Sequence, residues 1–234
     1  MIEEPPLLRV ARAENRNRPT EAQIAAFRGV PTGFVTDAMD GAGAMPAEIK
    51  PLPGLPFRVA GPALTCYSGP EDILGLLAAL TEIRPGDVVV NATGGWRGCA
   101  AVGDRVCGMA RNAGAAAIVT DGMARDLEGI QAMGLPMFCA GITPNSPFGK
   151  GPGTVGLPVV VGGHPVASGD MIVADRDGVV VVPFARIDTV VARLDEIRAL
   201  ETELDAKVSD GQVCPQWVRD LLASDEASFD AVAK

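Results

Sequence analysis

Two short polar groups near the middle of the chain are spaced to do chemistry: Gly103-Asp104 and Arg125-Asp126. Val106, Met109, Ala110 and Ala113 recur at i, i+3, i+4 and i+7, one face of a helix. Gly114 is placed to end that helix, because glycine enters the left-handed region without steric penalty. Ala115 to Thr120 is an apolar run of buried-strand length, Asp121-Gly122 ends it, and a second helix starts near Leu127. Gly103-Asp104 therefore opens one helix, and Arg125-Asp126 lies just past a strand. Ligands bind at such element ends, where backbone N–H groups and side chains converge. The bland alternative is that both aspartates cap helices, Asp104 before Arg105 and Asp126 before Leu127, with Arg125 paired to Asp121.

Other chemistries have less to stand on. Asn91-Ala-Thr-Gly-Gly95 could cradle an anion with its backbone N–H groups, although paired glycines such as Gly94 and Gly95 more often mark a turn. The five cysteines (Cys66, Cys99, Cys107, Cys139, Cys214) form no Cys-x-x-Cys pair, and the one histidine, His164, sits in a turn sequence, Val161-Gly-Gly-His-Pro165. Buried free thiols in a reducing compartment are the expectation, rather than a cysteine nucleophile or a zinc centre.

The flanking elements follow from pattern. Residues 1–18 carry Arg9, Arg12, Arg16 and Arg18 and read as a loose arm or a short helix packing on a partner. Thr20-Glu-Ala-Gln23 is a capping box, with Ile24 and Phe27 facing inward. Thr32 to Met39 is a second short helix. Phe57 to Ser68 reads as strands broken at Gly61-Pro62. Asp72 can cap a helix carrying Ile73, Leu76, Leu77 and Leu80. Pro85-Gly-Asp87 turns into the strand Val88–Val90, and Leu135 to Ala140 is another strand. Gly141 to Gly156 is a long Gly/Pro loop with Asn145, Ser146 and Lys150, of a length that suggests a functional flap or an interface segment. Runs at 159–161, 169–174 and 179–182 suggest a meander. Ile187 to Val208 is a long helix with Val190, Val191, Leu194, Ile197, Leu200 and Leu204 on one face, ended by Gly211 and Pro215. With no flexible linker, the chain reads as one domain, 1–234, with an N-terminal arm (1–18) and a C-terminal helical extension (187–234).

Composition bounds the function. The 234 residues are 47% hydrophobic and 21% charged, enough to bury a core, and only 4% aromatic, so that core is built from Ala, Val, Leu and Ile. The net charge of −9 disfavours nucleic-acid binding, which needs a basic surface. No apolar run approaches the ~20 residues of a membrane helix, and no signal peptide is visible; a soluble, cytoplasmic protein is expected.

Taken together, Val35-Thr-Asp-Ala38, Gly61-Pro-Ala-Leu-Thr65, Pro85-Gly-Asp-Val-Val-Val90, Gly94-Gly95, Asp121-Gly-Met-Ala-Arg-Asp126, Gly169-Asp170 and Asp177-Gly-Val-Val-Val-Val-Pro183 are specific. From about Thr32 to Gly211 the chain resembles the RraA-like family. That family includes 4-hydroxy-4-methyl-2-oxoglutarate aldolases (class II pyruvate aldolases) and the regulator of ribonuclease E activity. An aspartate, twenty intervening residues and Arg-Asp mark the aldolase branch, and Asp104 with Arg125-Asp126 meets that spacing.

The resemblance implies an α/β fold of the swivelling β/β/α layered type. It implies that Asp126 holds a divalent metal, Mg2+ or Mn2+, largely through water, that Asp104 helps hold the metal's waters, and that Arg125 contacts the pyruvyl group. It further implies that the backbone N–H groups of Arg105 and Val106 receive the substrate carboxylate, and that a C-terminal glutamate, best matched by Glu201, reaches the site from another subunit of a homotrimer or hexamer. The activity implied is pyruvate release from a 4-hydroxy-2-oxo dicarboxylate such as 4-hydroxy-4-methyl-2-oxoglutarate or 4-carboxy-4-hydroxy-2-oxoadipate, with oxaloacetate decarboxylation on the side; the alternative is a non-catalytic regulator of an RNA-processing enzyme. The chain departs from the family at Asn91-Ala92, where many members carry Asp-Gly, and at Trp96, Arg97 and Cys99, positions expected to bear on substrate choice. The physics agrees. Cleaving a C–C bond beside a 2-oxo acid leaves an enolate, which a hard cation and a fixed guanidinium stabilise. Mg2+ typically uses one or two protein carboxylates. The stretch from Gly103 to Met133 contains no lysine, which argues against Schiff-base chemistry.

Overall fold

The computed structural model describes residues 6–230. In chain order the elements are β1 (Leu8–Val10), α1 (Glu21–Phe27), α2 (Thr32–Ala38), β2 (Lys50–Pro51), β3 (Val59–Tyr67), α3 (Leu74–Ala79), β4 (Val88–Ala92) and β5 (Ala100–Val102). Then come α4 (Asp104–Asn112), β6 (Ala117–Thr120), β7 (Met123–Ala124), α5 (Leu127–Met133), β8 (Met137–Cys139), β9 (Gly153–Val155), β10 (Val159–Val161) and β11 (His164–Val166). The chain finishes with β12 (Met171–Ala174), β13 (Val179–Val182), α6 (Ile187–Ser209) and α7 (Gln216–Leu222). The described residues gather into two compact units, the first closing at Leu194 and the second opening at Asp195.

In the first unit β3, β4, β6 and β8 run parallel, with β9 and β1 added beyond β3 and β2 beyond β8. Side chains alternate across this sheet, as the period of a strand requires. Val89, Ile118 and Met137 point to one face and pack with Leu76, Val106, Ala110 and Ile130 of the helices. Val88, Val90, Ala117, Val119 and Phe138 point to the other and pack with Val159, Val161 and Val166 of the β10–β11 hairpin and Ile172, Val179 and Val181 of β12–β13. Helices cover one face and β-hairpins the other, the β/β/α layering that the resemblance implies. Both faces are apolar, so the strands read as continuous hydrophobic runs.

Several expectations are corrected. Gly61-Pro62 does not break the strand: β3 is continuous and changes partner there, pairing antiparallel with β12 over Val59–Pro62 and parallel with β4 over Ala63–Tyr67. Gly61 is needed because a Cβ would come within 2.4 Å of the Gly86 carbonyl oxygen. The N-terminal arm is not loose from Leu8 onward. β1 pairs with β9, Arg12 and Arg18 form ion pairs with Glu82 and Asp87, and Arg16 donates to the Glu82 carbonyl at 2.7 Å. The expected meander is two separate hairpins, β10–β11 and β12–β13. His164 opens β11 rather than sitting in the turn, and partial burial lowers its pKa. The 141–156 loop ends as a strand, β9.

The capping box stands as expected, with Thr20 accepting from Gln23 N–H at 3.2 Å and Ile24 and Phe27 buried. On α6 only Ile187, Val190 and Leu194 are buried. In the second unit Leu200, Leu204 and Val208 are exposed, and α7 follows within the expected C-terminal helical extension. Among the described residues no helix is long and apolar enough to cross a membrane.

Candidate functional site

The twenty residues between Asp104 and Arg125 are what one return of the chain requires: helix α4, strand β6, a turn and strand β7. β7 comes back parallel to β5, with a register shift between Ala100 and Val102. The Arg125 N–H donates to the Val102 carbonyl at 3.0 Å. The ends of β5 and β7 therefore lie side by side, and each runs at once into a helix. Two helix starts converge, and their unpaired N–H groups make the region favourable to anions.

The backbone of this junction is specialised. Gly103 precedes α4 in an extended conformation, and a Cβ there would lie 3.0 Å from Asp126 Oδ2 and 3.5 Å from Arg125 Cγ. Gly129, in α5, gives Asp104 its place: a Cβ would sit 2.7 Å from Asp104 Cβ and 2.8 Å from its Oδ2. Asp126 adopts left-handed angles, φ 60° and ψ 47°, a region that costs a non-glycine residue on the order of 1 kcal/mol. Although it stands at the N-cap position of α5, its side chain makes no capping hydrogen bond. Helix capping therefore does not account for the Asp126 carboxylate. That carboxylate is 46% exposed and faces Arg125, whose Nε lies 3.3 Å from Oδ2.

Around this junction lies a cleft of about 560 Å3, lined by Asp104, Arg105, Val106, Arg125 and Asp126, by Ala100 to Gly103, and by the apolar Ile73, Leu77, Met109 and Pro147. Cys107 N–H is the first to close back on the helix, to Gly103 O at 3.0 Å, so the N–H groups before it are left over. Asp104 Oδ1 accepts from Arg105 N–H at 2.6 Å, which makes that donor an occupied one. The Val106 N–H has no partner among the described residues. Beneath the helix Cys107 is fully buried, and burial first, with Asp104 second, pushes its thiol up to about 12. Burial likewise raises Cys66 and Cys139, so these thiols stay protonated and inert.

Asp104, Arg105, Val106, Arg125 and Asp126 thus line one cleft. Gly94 and Gly95 do not join them: neither lines the cleft, and Gly95 N–H donates to Asp121 Oδ2 at 2.9 Å. The glycine-rich loop does cradle an anion, but an internal one. Asp121 is buried and accepts from Thr93 N–H (2.7 Å), Thr93 Oγ1 (2.9 Å), Gly95 N–H and Gly162 N–H (3.1 Å), so it is no partner for Arg125. Trp96, Arg97 and Cys99 also lie outside the lining; Arg97 pairs with Glu48 at 3.2 Å. Glu201 belongs to the second unit, on α6, where its neighbour Glu203 is held below the usual carboxylate range by Lys207 at 2.6 Å.

Pattern reasoning missed three parts of the site. Met109 shares its periodic face with the buried Val106 and Ala110, yet is 43% exposed and lines the cleft. Ile73 and Leu77, which the pattern places along one helix with Leu76 and Leu80, also line the cleft. Ser146 Oγ accepts a hydrogen bond from Arg125 Nη1; a serine in a Gly/Pro loop carries no signal of which side chain it will meet.

A divalent cation fits the donor chemistry. Among the described residues no group of three or more His, Cys, Asp or Glu could enclose a metal. A semi-exposed Asp126, with Asp104 on the neighbouring helix start, suits a hydrated hard cation that uses one or two carboxylates.

The RraA-like family model, described as Aldolase/RraA, matches residues 32–181. A protein of Halalkalibacterium halodurans named "Putative 4-hydroxy-4-methyl-2-oxoglutarate aldolase" is 37% identical over 187 residues, 80% of this chain and 89% of its own length. Among solved structures, Streptomyces coelicolor RraAS2, described as an unusual member of the RNase ES inhibitor RraA protein family, superposes with a TM-score of 0.71 at 28% identity, covering 81% of this chain and all of that one. The RNA-processing inhibitor RraA from Thermus thermophilis gives 0.59 at 28% identity, covering 66% of this chain and 93% of its own. With most of its length inside one family model and a 37% identical relative matched over 80% of the chain, the chain belongs to the RraA-like family.

Proposed function

We propose that the protein is a divalent-metal-dependent lyase that releases pyruvate from a 4-hydroxy-2-oxo dicarboxylate and decarboxylates oxaloacetate as a side reaction. The observation that carries this reading is the convergence of Asp104, Arg125 and Asp126 on one cleft beside the open N–H of Val106. The aldolase names of relatives such as the Halalkalibacterium protein support it.

In this reading Asp126, with Asp104 orienting the surrounding waters, holds Mg2+ or Mn2+. When bound, such a cation supplies Lewis-acid polarisation of the substrate's 2-oxo and carboxylate oxygens. Val106 N–H and the start of α4 receive the pyruvyl carboxylate. As the C3–C4 bond breaks, the C4 hydroxyl gives its proton to water and its oxygen becomes the carbonyl of the departing 2-oxo product, while the C3–C4 electron pair moves into the 2-oxo group, where Arg125 meets the developing charge with a donor that cannot lose its proton. A proton delivered to C3 then yields pyruvate. Loss of carbon dioxide from oxaloacetate generates the same charge and calls on the same residues. Glu201 of a neighbouring subunit completes the site in a trimer or a dimer of trimers, and the free thiols suit a reducing cytoplasm.

The rival reading, a non-catalytic regulator, rests on the likeness to the Thermus inhibitor and leaves the cleft's charged residues without a task. A panel of 4-hydroxy-2-oxo acids and oxaloacetate, assayed with Mg2+ and Mn2+ by coupling pyruvate to lactate dehydrogenase, separates the two. Turnover of at least one substrate is expected, and none across the panel would favour the regulator. Light scattering showing a monomer at micromolar concentration would remove the proposed role of Glu201.

A further inference from the structure

The segment 145–151 is fastened at both ends. On one side Asn145 Nδ2 donates to the Gly98 carbonyl at 2.8 Å, and Asn145 O accepts from Ala100 N–H at 3.0 Å, tying the segment to the lead-in of β5. On the other side Asp72 acts as a clasp. Its buried carboxylate accepts from Lys150 N–H (2.6 Å) and Gly151 N–H (3.0 Å), and also from Leu74 N–H (2.7 Å) at the start of α3. Phe148 and the 71–73 segment exchange backbone hydrogen bonds at 2.6 and 3.0 Å. Ser146 and Pro147 span the interval between these fastenings, Pro147 on the cleft wall and Ser146 on Arg125.

Arg125 is therefore held at two of its nitrogens: Nε in an ion pair with Asp126 and Nη1 in a hydrogen bond to Ser146. Two contacts fix the plane of a guanidinium, and the remaining N–H groups of a side chain that is still 35% exposed are left to the cleft. Arg125 otherwise hangs on a flexible stem, and an unfixed donor must be ordered during the reaction, which forfeits the advantage of preorganisation. We propose that Ser146 is a positioning residue for Arg125, held at the cleft by a strap that the Asp72 clasp fastens. The proposal rests on the pyruvate-lyase reading for its consequence in rate but not for its geometry.

The test combines turnover with a ligand probe. Oxalate, a planar dianion that mimics the enolate of pyruvate, is titrated calorimetrically with Mn2+ present against wild type, Ser146→Ala, Ser146→Thr, Arg125→Ala and the Ser146→Ala/Arg125→Ala double variant. Ser146→Ala is expected to weaken oxalate about tenfold, the scale of one hydrogen bond to a charged group, and to lower kcat with KM little changed. Ser146→Thr, which keeps the hydroxyl, should recover most of both. In the Arg125→Ala background the serine substitution should have no further effect, because its target is gone. Ser146→Ala binding oxalate as wild type does, an equal loss in the Arg125→Ala background, or a wild type that does not bind oxalate would each overturn the proposal. If the coupling appears in oxalate binding while no 4-hydroxy-2-oxo acid is turned over, the positioning role stands and the lyase reading falls.

Discussion

Gly129→Ala separates the placement of one carboxylate from the stability of the fold. Gly129 lies within α5, where exchanging glycine for alanine is by itself stabilising by about 0.8–1 kcal/mol. The added methyl, however, would stand 2.7 Å from Asp104 Cβ, 2.8 Å from Oδ2 and 3.1 Å from Cγ. Carbon–carbon contacts settle at about 3.5–4.0 Å, so the two helix starts must part, or Asp104 must swing, by roughly 0.8 Å or more. Overpacking of this kind costs about 1–3 kcal/mol, which the helix-propensity gain partly offsets. The protein should therefore stay folded, with a stability loss of at most about 2 kcal/mol. Its carboxylate is nevertheless displaced, and a misplacement of about 1 Å can cost on the order of 100-fold in rate. Urea melts give the first quantity and the lactate dehydrogenase-coupled rate the second. A Gly129→Ala protein that is folded and turns over like wild type would show that the position of Asp104 against α5 does not matter, and the reasoning that ties this glycine to the site would fail.

Other expectations follow from the same geometry. Arg125→Ala should leave metal binding intact and lower turnover about 10²–10³-fold, the cost of one preorganised donor, and Arg125→Lys should not fully restore it because an ammonium lacks the planar fork; equal steady-state rates for lysine and arginine would refute this. Asp121→Ala should lower stability by about 3 kcal/mol or more in urea melts, since Thr93, Gly95 and Gly162 N–H groups lose their shared acceptor; a loss under 1 kcal/mol would count against the internal-anion reading. Stability should also decline as pH rises from 9 towards 12. Below 9 the Cys107 thiol is protonated in both states, whereas above it the unfolded chain ionises and the folded one, pushed up to about 12, does not. Urea melts across that range, repeated on Cys107→Ala, which should flatten part of the slope, provide the check.

The central βαβ return was legible because its signals are local. The 3.6-residue period, the glycine stop and the apolar strand lie within one stretch, and that stretch alone sets the distance from Asp104 to Arg125-Asp126. What pattern could not supply was partnership across the chain. Gly61-Pro62 looks like a break, yet it marks where β3 trades β12 for β4. The arm looks loose until Arg12 and Arg18 meet carboxylates about seventy residues away. Periodicity placed one apolar stripe along α6 but not the end of its burial at Leu194, since a period names a face and not what covers it. In the site, the anion held by the Gly94-Gly95 loop proved to be the chain's own Asp121, and the hydroxyl on Arg125 comes from a loop with no periodicity at all.

The central claim is that Asp126 holds a hard divalent cation on which pyruvate release depends. Steady-state pyruvate release by wild type and by Asp126→Ala, each with Mg2+, with Mn2+ and after chelation, and with circular dichroism to confirm folding, tests it most directly. Chelation should stop the wild type, either metal should restore it, and folded Asp126→Ala should remain without turnover under every condition. Wild-type turnover that ignores the chelator, or a folded Asp126→Ala that matches wild type, would contradict the account.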